Sequence, residues 1–267
     1  MTAALQIPPL PAAHARALAL LMEQDVGLAE VAAIIESDPG LTAAVLRAAN
    51  SAESAPADRI TRAGDAIVRL GARTARALVV ASMLRGRVDR LAAAKIDLEE
   101  LWRHLIGVGL IADASLSAAK GDARAPVFTA GLLHDLGRIA LAANQPQHYA
   151  RIARLVREGR DARDAERHVL GTDHEEFGAE VARHWGLPDV ISAAVAHHHE
   201  PGTNVVATHV GVGRRIAGRL SIGDGVHFAD DPRLTEATAE HDKYVLATAG
   251  GPTALERRIA WFRGAIG

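Results

Sequence analysis

Five imidazoles and one carboxylate carry most of the chemistry this sequence offers. His134-Asp135 sits inside Ala130-Gly131-Leu132-Leu133-His134-Asp135-Leu136-Gly137-Arg138, a segment otherwise suited to burial. An unpaired ionised Asp is costly to bury, so Asp135 needs a hydrogen-bond partner or a metal. Glu100 and His104 lie four residues apart on one helical face. That spacing serves two ligands, or one ligand and the group that orients it. His198-His199 adds two imidazoles, and His174 opens another helix. Neutral imidazoles with carboxylates suit iron, manganese, zinc or nickel, and geometry rather than affinity chooses among these divalent ions.

Each of these residues also has a plainer reading. His134-Asp135 is either a hydrogen-bonded buried pair or part of a metal site. Taken singly, His104 and His174 are ordinary core or surface histidines. Glu100 follows Asp97 by three and is equally a helix-capping residue. His197 is expected to face away from its two neighbours. His14, His148, His168, His184, His209, His227 and His241 have no partner by spacing and read as surface or packing residues, and Arg69, Arg73 and Arg76 as a solvated face.

The elements that must position these groups are helical: apolar residues recur at three- and four-residue spacing, with helix start and stop signals between them. After Pro8-Pro9-Leu10-Pro11, helices are expected over Ala12–Gln24, Leu28–Glu36, Asp38 to Asn50, Asp65–Leu70 and Ala72–Arg85. Asp38-Pro39 supplies a cap and a first-turn proline. A long helix opens at Asp97 and runs to about Ala119, ended by the Lys120–Arg124 loop. Further helices are expected over Val127–Ala142, Pro146–Glu158, Ala162–Leu170, His174–Trp185, Pro188–His199 and Asn204–Leu220, with Gly159, Gly171 and Gly186 as stops. From Ser221 the pattern loosens into a loop and two weak helices. The fold class is therefore all-α, a two-subdomain helical bundle: residues 1–95, residues 96–220 with the candidate metal site, and a C-terminal extension over 221–267 packed on the latter.

Composition excludes several classes. Among 267 residues, 30 Lys+Arg face 32 Asp+Glu and only 3% are aromatic, so there is no strong nucleic-acid signal in charge or stacking platforms. Cysteine is absent, which leaves any metal site to the 13 histidines and the carboxylates. Met1–Pro11 lacks the basic flank and apolar run of a signal peptide, and no stretch has the apolar length of a membrane span. The expected address is the cytoplasm. Oligomeric state is not readable.

The order of the motifs resembles a known family. Ile7-Pro8-Pro9-Leu10-Pro11, Ile34-Ile35-Glu36-Ser37-Asp38-Pro39, Leu46-Arg47-Ala48-Ala49-Asn50-Ser51-Ala52 and Asp65-Ala66-Ile67-Val68-Arg69-Leu70-Gly71 come first. Leu101-Trp102-Arg103-His104, Gly131-Leu132-Leu133-His134-Asp135-Leu136-Gly137, Gly171-Thr172-Asp173-His174-Glu175-Glu176-Phe177-Gly178, Trp185-Gly186-Leu187-Pro188 and His198-His199-Glu200-Pro201 follow. Together they are similar to the HDOD family of the HD superfamily, bacterial signalling relatives of metal-dependent phosphohydrolases, over most of the chain. The resemblance implies two all-helical subdomains, the second HD-like, and a regulatory role exercised through a signalling protein partner or a small nucleotide ligand.

Against the related HD-GYP cyclic-dinucleotide phosphodiesterases, His104, His134-Asp135, His174 and His198-His199 match metal-ligand positions, and Glu100 matches an acidic ligand of some binuclear sites. This implies one or two ions, and the survival of so many positions favours ligation. Arg138 stands where those enzymes carry a lysine, preserving charge but not geometry. Val212, in Thr208-His209-Val210-Gly211-Val212, stands where the pattern asks for a ligand Asp, so one metal loses a carboxylate unless His209, water or Asp224 substitutes. The GYP segment is missing too. In a hydrolytic site Asp135 would bridge or hold the nucleophile and Arg138 would stabilise the leaving phosphate. The expectation is a regulatory protein working by binding, with a partly retained metal site; the alternative is an active phosphohydrolase on a nucleotide or cyclic dinucleotide.

Overall fold

The structure, a computed structural model, describes residues 5–7, 9, 14, 17–18, 26–51, 56, 58–121, 126–226 and 236–266. Most of the proline-rich start and of the helix expected over Ala12–Gln24 lies outside them, as does most of the Lys120–Arg124 loop and residues 227–235. Every regular element among the described residues is a helix. The chain forms two compact units, one of Leu10–Gly86 with Arg257–Gly267, the other of Met1–Pro9 with Arg87–Glu256.

In the first unit α1 (Leu28–Glu36), α2 (Pro39–Ala49) and α3 (Ala63–Leu70) pack on one another, and α4 (Ala72–Val88) follows. The start of α2 is set by local chemistry. Asp38 accepts from the backbone N–H groups of Gly40 (2.7 Å) and Leu41 (3.0 Å), and Pro39 occupies a position that has no hydrogen bond to lose. Ile35, Val45, Ile67 and Leu78 fill the interior. The last helix, α14 (Pro252–Ile266), is tied to α2 within this unit by Arg47, which donates to the Ala265 carbonyl (2.8 and 3.1 Å). The indole N–H of Trp261 donates to Ser51 Oγ (2.7 Å) just beyond α2.

The second unit opens with a 3-10 turn over Asp89–Ala94 and the 21-residue α5 (Leu98–Ala118). Asp97 caps α5 by accepting from the Glu100 N–H at 3.1 Å, but the expected reciprocal bond is replaced, since the Glu100 carboxylate meets Arg103 at 3.4 Å. Around α5 pack α6 (Val127–Leu133), α12 (Val205–Arg219) and α13 (Glu236–Thr248). A second group contains α7 (Leu136–Asn144), α8 (Pro146–Arg157), α9 (Ala162–Leu170), α10 (His174–His184) and α11 (Asp189–Ala196). Gly159, Gly171 and Gly186 take φ of 95°, 80° and 69°, the left-handed conformation that ends helices. The two helices expected after Ser221 are α13 and α14, regular over 13 and 15 residues.

Two expected helices are interrupted where the candidate ligands sit. The pattern over Val127–Ala142 predicts one helix; the structure breaks it between α6 and α7, with Asp135 at φ −92°, ψ 21°. The helix expected to reach His199 stops at Ala196, leaving His198-His199 on the chain beyond it. Close backbone approach then aims the break. A Cβ on Gly131 would lie 2.6 Å from Gly109 Cα, and one on Gly137 would overlap the His174 carbonyl oxygen, so these glycines let α6 reach α5 and α7 reach α10.

Candidate metal centre

The donors come from four places in the second unit: His104 from α5, His134-Asp135 from the break between α6 and α7, His174 from the first turn of α10, and His198-His199 from the segment after α11. Four of the rings are oriented by bonds at Nδ1. His134 Nδ1 lies 2.7 Å from the Gly131 carbonyl, His198 Nδ1 2.8 Å from that of Val195, and His104 Nδ1 3.3 Å from that of Ile222. His174 Nδ1 lies 2.6 Å from Glu166 Oε2. A carbonyl oxygen can only accept, so Nδ1 carries the proton in those three rings and Nε2 of the neutral imidazole presents a lone pair.

These Nε2 atoms converge on Asp135 in two groups. Asp135 Oδ2 faces His134 Nε2 (3.5 Å) and His104 Nε2 (4.0 Å), while Oδ1 faces His174 Nε2 and His198 Nε2 (both 3.7 Å). His104, His134 and Asp135 place donor atoms within 4.8 Å of one another, and so do His174, His198 and His199. In the first group the two Nε2 atoms are 3.3 Å apart with both rings' protons committed at Nδ1. That is hydrogen-bond distance with no proton to share, an arrangement a cation relieves. His198 Nε2 is buried with no hydrogen-bond partner. Buried polar atoms are normally satisfied, so both observations fit a divalent ion held by imidazole and carboxylate.

The electrostatics suit the same purpose. Burial pushes His134 down to about 3 and lowers His104, His198 and His199, so these rings stay neutral and able to ligate. Burial opposes ionisation of Asp135, yet the Arg138 guanidinium beside it holds it well below the carboxylate range, with His174 acting the same way. His174 moves the other way: Glu166 outweighs burial and raises it. Arg138 is itself buried, 3.7 Å from Asp135 Oδ2 and ion-paired with Asp224, which it helps bring down to about 2 against its burial.

The structure thus gathers His104, His134, Asp135, His174, His198 and His199, with Arg138 beside them. Glu100 is not among the grouped donors and turns to Arg103. Val212 is buried, Asp224 is engaged by Arg138, and His209 Nδ1 lies 2.9 Å from Ser115 Oγ. His197 is exposed. Several participants went unseen in the sequence: Glu166 and Tyr149 behind His174, Glu175, which accepts from the His199 backbone N–H (2.9 Å), and Arg163, which lies 3.2 Å from Glu175. The available signal was a charged residue on the sparse buried face of α9, where Glu166 lies beside Ala165.

Comparison with known proteins finds relatives of the chain. A family model described as HDOD domain matches residues 7–201. A crystal structure of an HDOD domain protein of unknown function from Geobacter sulfurreducens is 26% identical, with a TM-score of 0.74, covering 98% of this chain and 92% of that one. A protein from Shewanella amazonensis SB2B, described as a candidate phosphohydrolase, is 27% identical with a TM-score of 0.68, covering 97% and 92%. An uncharacterized protein of Treponema pallidum is 29% identical over 200 residues, which are 72% of this chain and 37% of that protein's length. Among the described residues no helix is long and apolar enough to cross a membrane.

Proposed function

For a chain that belongs to the HDOD domain family, we propose a regulatory protein that works by binding a signalling protein partner or a small nucleotide in the cytoplasm, organised around a divalent transition-metal centre. His104, His134 and Asp135 would hold one ion and His174, His198 and His199 a second, with one Asp135 oxygen toward each. The observation that carries this reading is the set of imidazoles whose Nδ1 atoms are engaged outside and whose Nε2 atoms meet inside, one of them with no other partner. Three features favour regulation over turnover. His104, His134, Asp135, His174 and His198 are all buried, Val212 supplies no carboxylate, and Arg138 is committed to Asp135 and Asp224. With Arg138 held by Asp135 and Asp224 and no carboxylate at Val212, the centre would lack two groups that a hydrolytic site would use.

A second reading, a metal-dependent phosphohydrolase acting on a nucleotide or cyclic dinucleotide, is favoured by one observation: Asp135 presents an oxygen to each donor group. Bound iron, manganese, zinc or nickel would supply Lewis-acid polarisation of a phosphoryl oxygen and a more acidic water. Asp135 would orient the attacking water, and Arg138 would have to exchange Asp224 for the leaving phosphate.

The test is elemental analysis of protein purified without chelator or a His-tag, wild type beside His134→Ala, followed by a phosphatase and phosphodiesterase panel. One to two ions per chain, reduced in the variant, with no turnover, supports the regulatory reading. Metal-dependent turnover abolished by His134→Ala establishes the second, and absence of metal overturns both.

A further inference from the structure

Glu166 is a charge without an evident reason in its own helix. It is completely buried on α9, and its two oxygens divide their work. Oε1 accepts from the Tyr149 hydroxyl of α8 at 2.8 Å. Oε2 accepts from the backbone N–H of His174 at 2.9 Å and from its Nδ1–H at 2.6 Å. A carboxylate removed from water is costly, and three hydrogen bonds from neutral donors offset that cost only in part. The balance improves when positive charge sits on the His174 ring or on its far nitrogen. That nitrogen, Nε2, is 3.7 Å from Asp135 Oδ1 and 3.0 Å from His199 Nε2.

Among the four oriented rings His174 alone hydrogen-bonds a carboxylate through Nδ1; His104, His134 and His198 bond the backbone carbonyls of Ile222, Gly131 and Val195, with Glu175 Oε1 a further 3.7 Å from His198 Nδ1. An anion behind an imidazole fixes its tautomer and raises the basicity of the opposite nitrogen. The same half of the centre has a second restraint, since Glu175 holds the His199 backbone N–H and is itself held by Arg163. In the other half His134 is held as firmly, at 2.7 Å from its carbonyl and 3.5 Å from Asp135, but His104 is looser, reaching its carbonyl at 3.3 Å and Asp135 only at 4.0 Å.

We infer that Glu166 is a positioning residue that makes the His174/His198/His199 half the tighter of two unequal divalent-cation sites. The inference rests on the metal reading above and adds an order of filling. The first ion enters the half backed by Glu166, and the second, at His104 and His134, exchanges more readily. Tyr149 acts one step further back, holding the carboxylate that holds the ring.

Titration of the metal-free full chain with cobalt(II), followed by visible absorption and chelator competition, tests this. The wild type should fill in two steps. Glu166→Gln keeps the side-chain shape and an acceptor for His174 while removing the charge; it should weaken the tighter step by roughly 10- to 100-fold, alter the cobalt spectrum of that step and leave the weaker step in place. Tyr149→Phe should weaken the same step by less, and His104→Ala should remove only the weaker one. Circular dichroism of the metal-free variants establishes that they are folded. Two unchanged steps in folded Glu166→Gln, or equal weakening of both, overturns the inference. If Glu166→Gln does not fold, an unchanged tight step in Tyr149→Phe overturns it, and selective weakening there supports it. A wild type that takes up no cobalt overturns the metal reading itself, and this inference with it.

Discussion

The two compact units solve the same packing problem with different materials. In the unit of Leu10–Gly86 and Arg257–Gly267 the interior is apolar, built from residues such as Val31, Ile35, Leu41, Val45, Ile67 and Leu78. Among the described residues, every buried polar or charged residue belongs to the other unit, from His104 through His134, Asp135, Arg138, Glu166, Asp173, His174, Glu175 and His198 to Asp242. Some of these serve the fold alone, as Asp242 does between Arg215 and Arg219, both at 2.8 Å. His104, His134, Asp135, Arg138, His174 and His198 meet at one point. Among the described residues the first unit fills its core without a buried imidazole or carboxylate, so helix packing of this kind does not by itself call for them.

The contrast can be broken most directly at Asp135. Asp135→Ala is expected to lose all bound metal by elemental analysis, while Ile67→Ala keeps it in full; metal loss in both would erase the distinction. Acid is next in size. In the metal-free protein burial lowers His104, His134 and His198 from 6.5, to about 3 for His134, so between those values the unfolded chain binds protons that the folded one does not. Stability therefore falls as pH drops below about 6.5, because each such ring takes up its proton in the unfolded chain before it does in the folded one. His174 works the other way, since a raised value contributes stability that is full below 6.5 and lost as pH rises through that raised value, but it is one ring against five, His199 and His209 being lowered as well. Urea unfolding of chelated protein at several pH values reads the net slope, and a flat profile would contradict it.

Smaller effects sharpen the comparison from the apolar side. Leu78→Ala, at a fully buried position, should cost about 2–5 kcal/mol in chemical unfolding with metal stoichiometry unchanged. Asp38→Ala removes the cap of α2 and should cost about 1 kcal/mol, again without loss of metal. A fall in metal content in either variant would show that the apolar unit bears on the centre.

How far the sequence reached depends on how local each feature is. The stops at Gly159, Gly171 and Gly186 and the Asp38-Pro39 start are decided within a few residues, and the structure has them where the pattern placed them. The six donors were legible as short words, but their convergence was legible only through the family resemblance and not from the pattern itself. It depends on a helix break that periodicity hides, because Leu132, Leu133, Leu136 and Ile139 continue one apolar face across it. Glu100 had the right spacing to His104 and the wrong surroundings, with Arg103 three residues on to claim it. Glu166 was invisible for the opposite reason. Its partners, Tyr149 and His174, lie 17 and 8 residues away on other helices, and only tertiary packing brings them to it.

The central claim is that Asp135 stands between two metal ions. Anomalous diffraction from crystals of the metal-loaded protein, collected at the absorption edge of the resident metal, tests it directly. The account expects two peaks, one beside His104 and His134 and one beside His174, His198 and His199, with an Asp135 oxygen toward each. Crystals whose elemental analysis shows metal but whose map has no peak at Asp135 would contradict it.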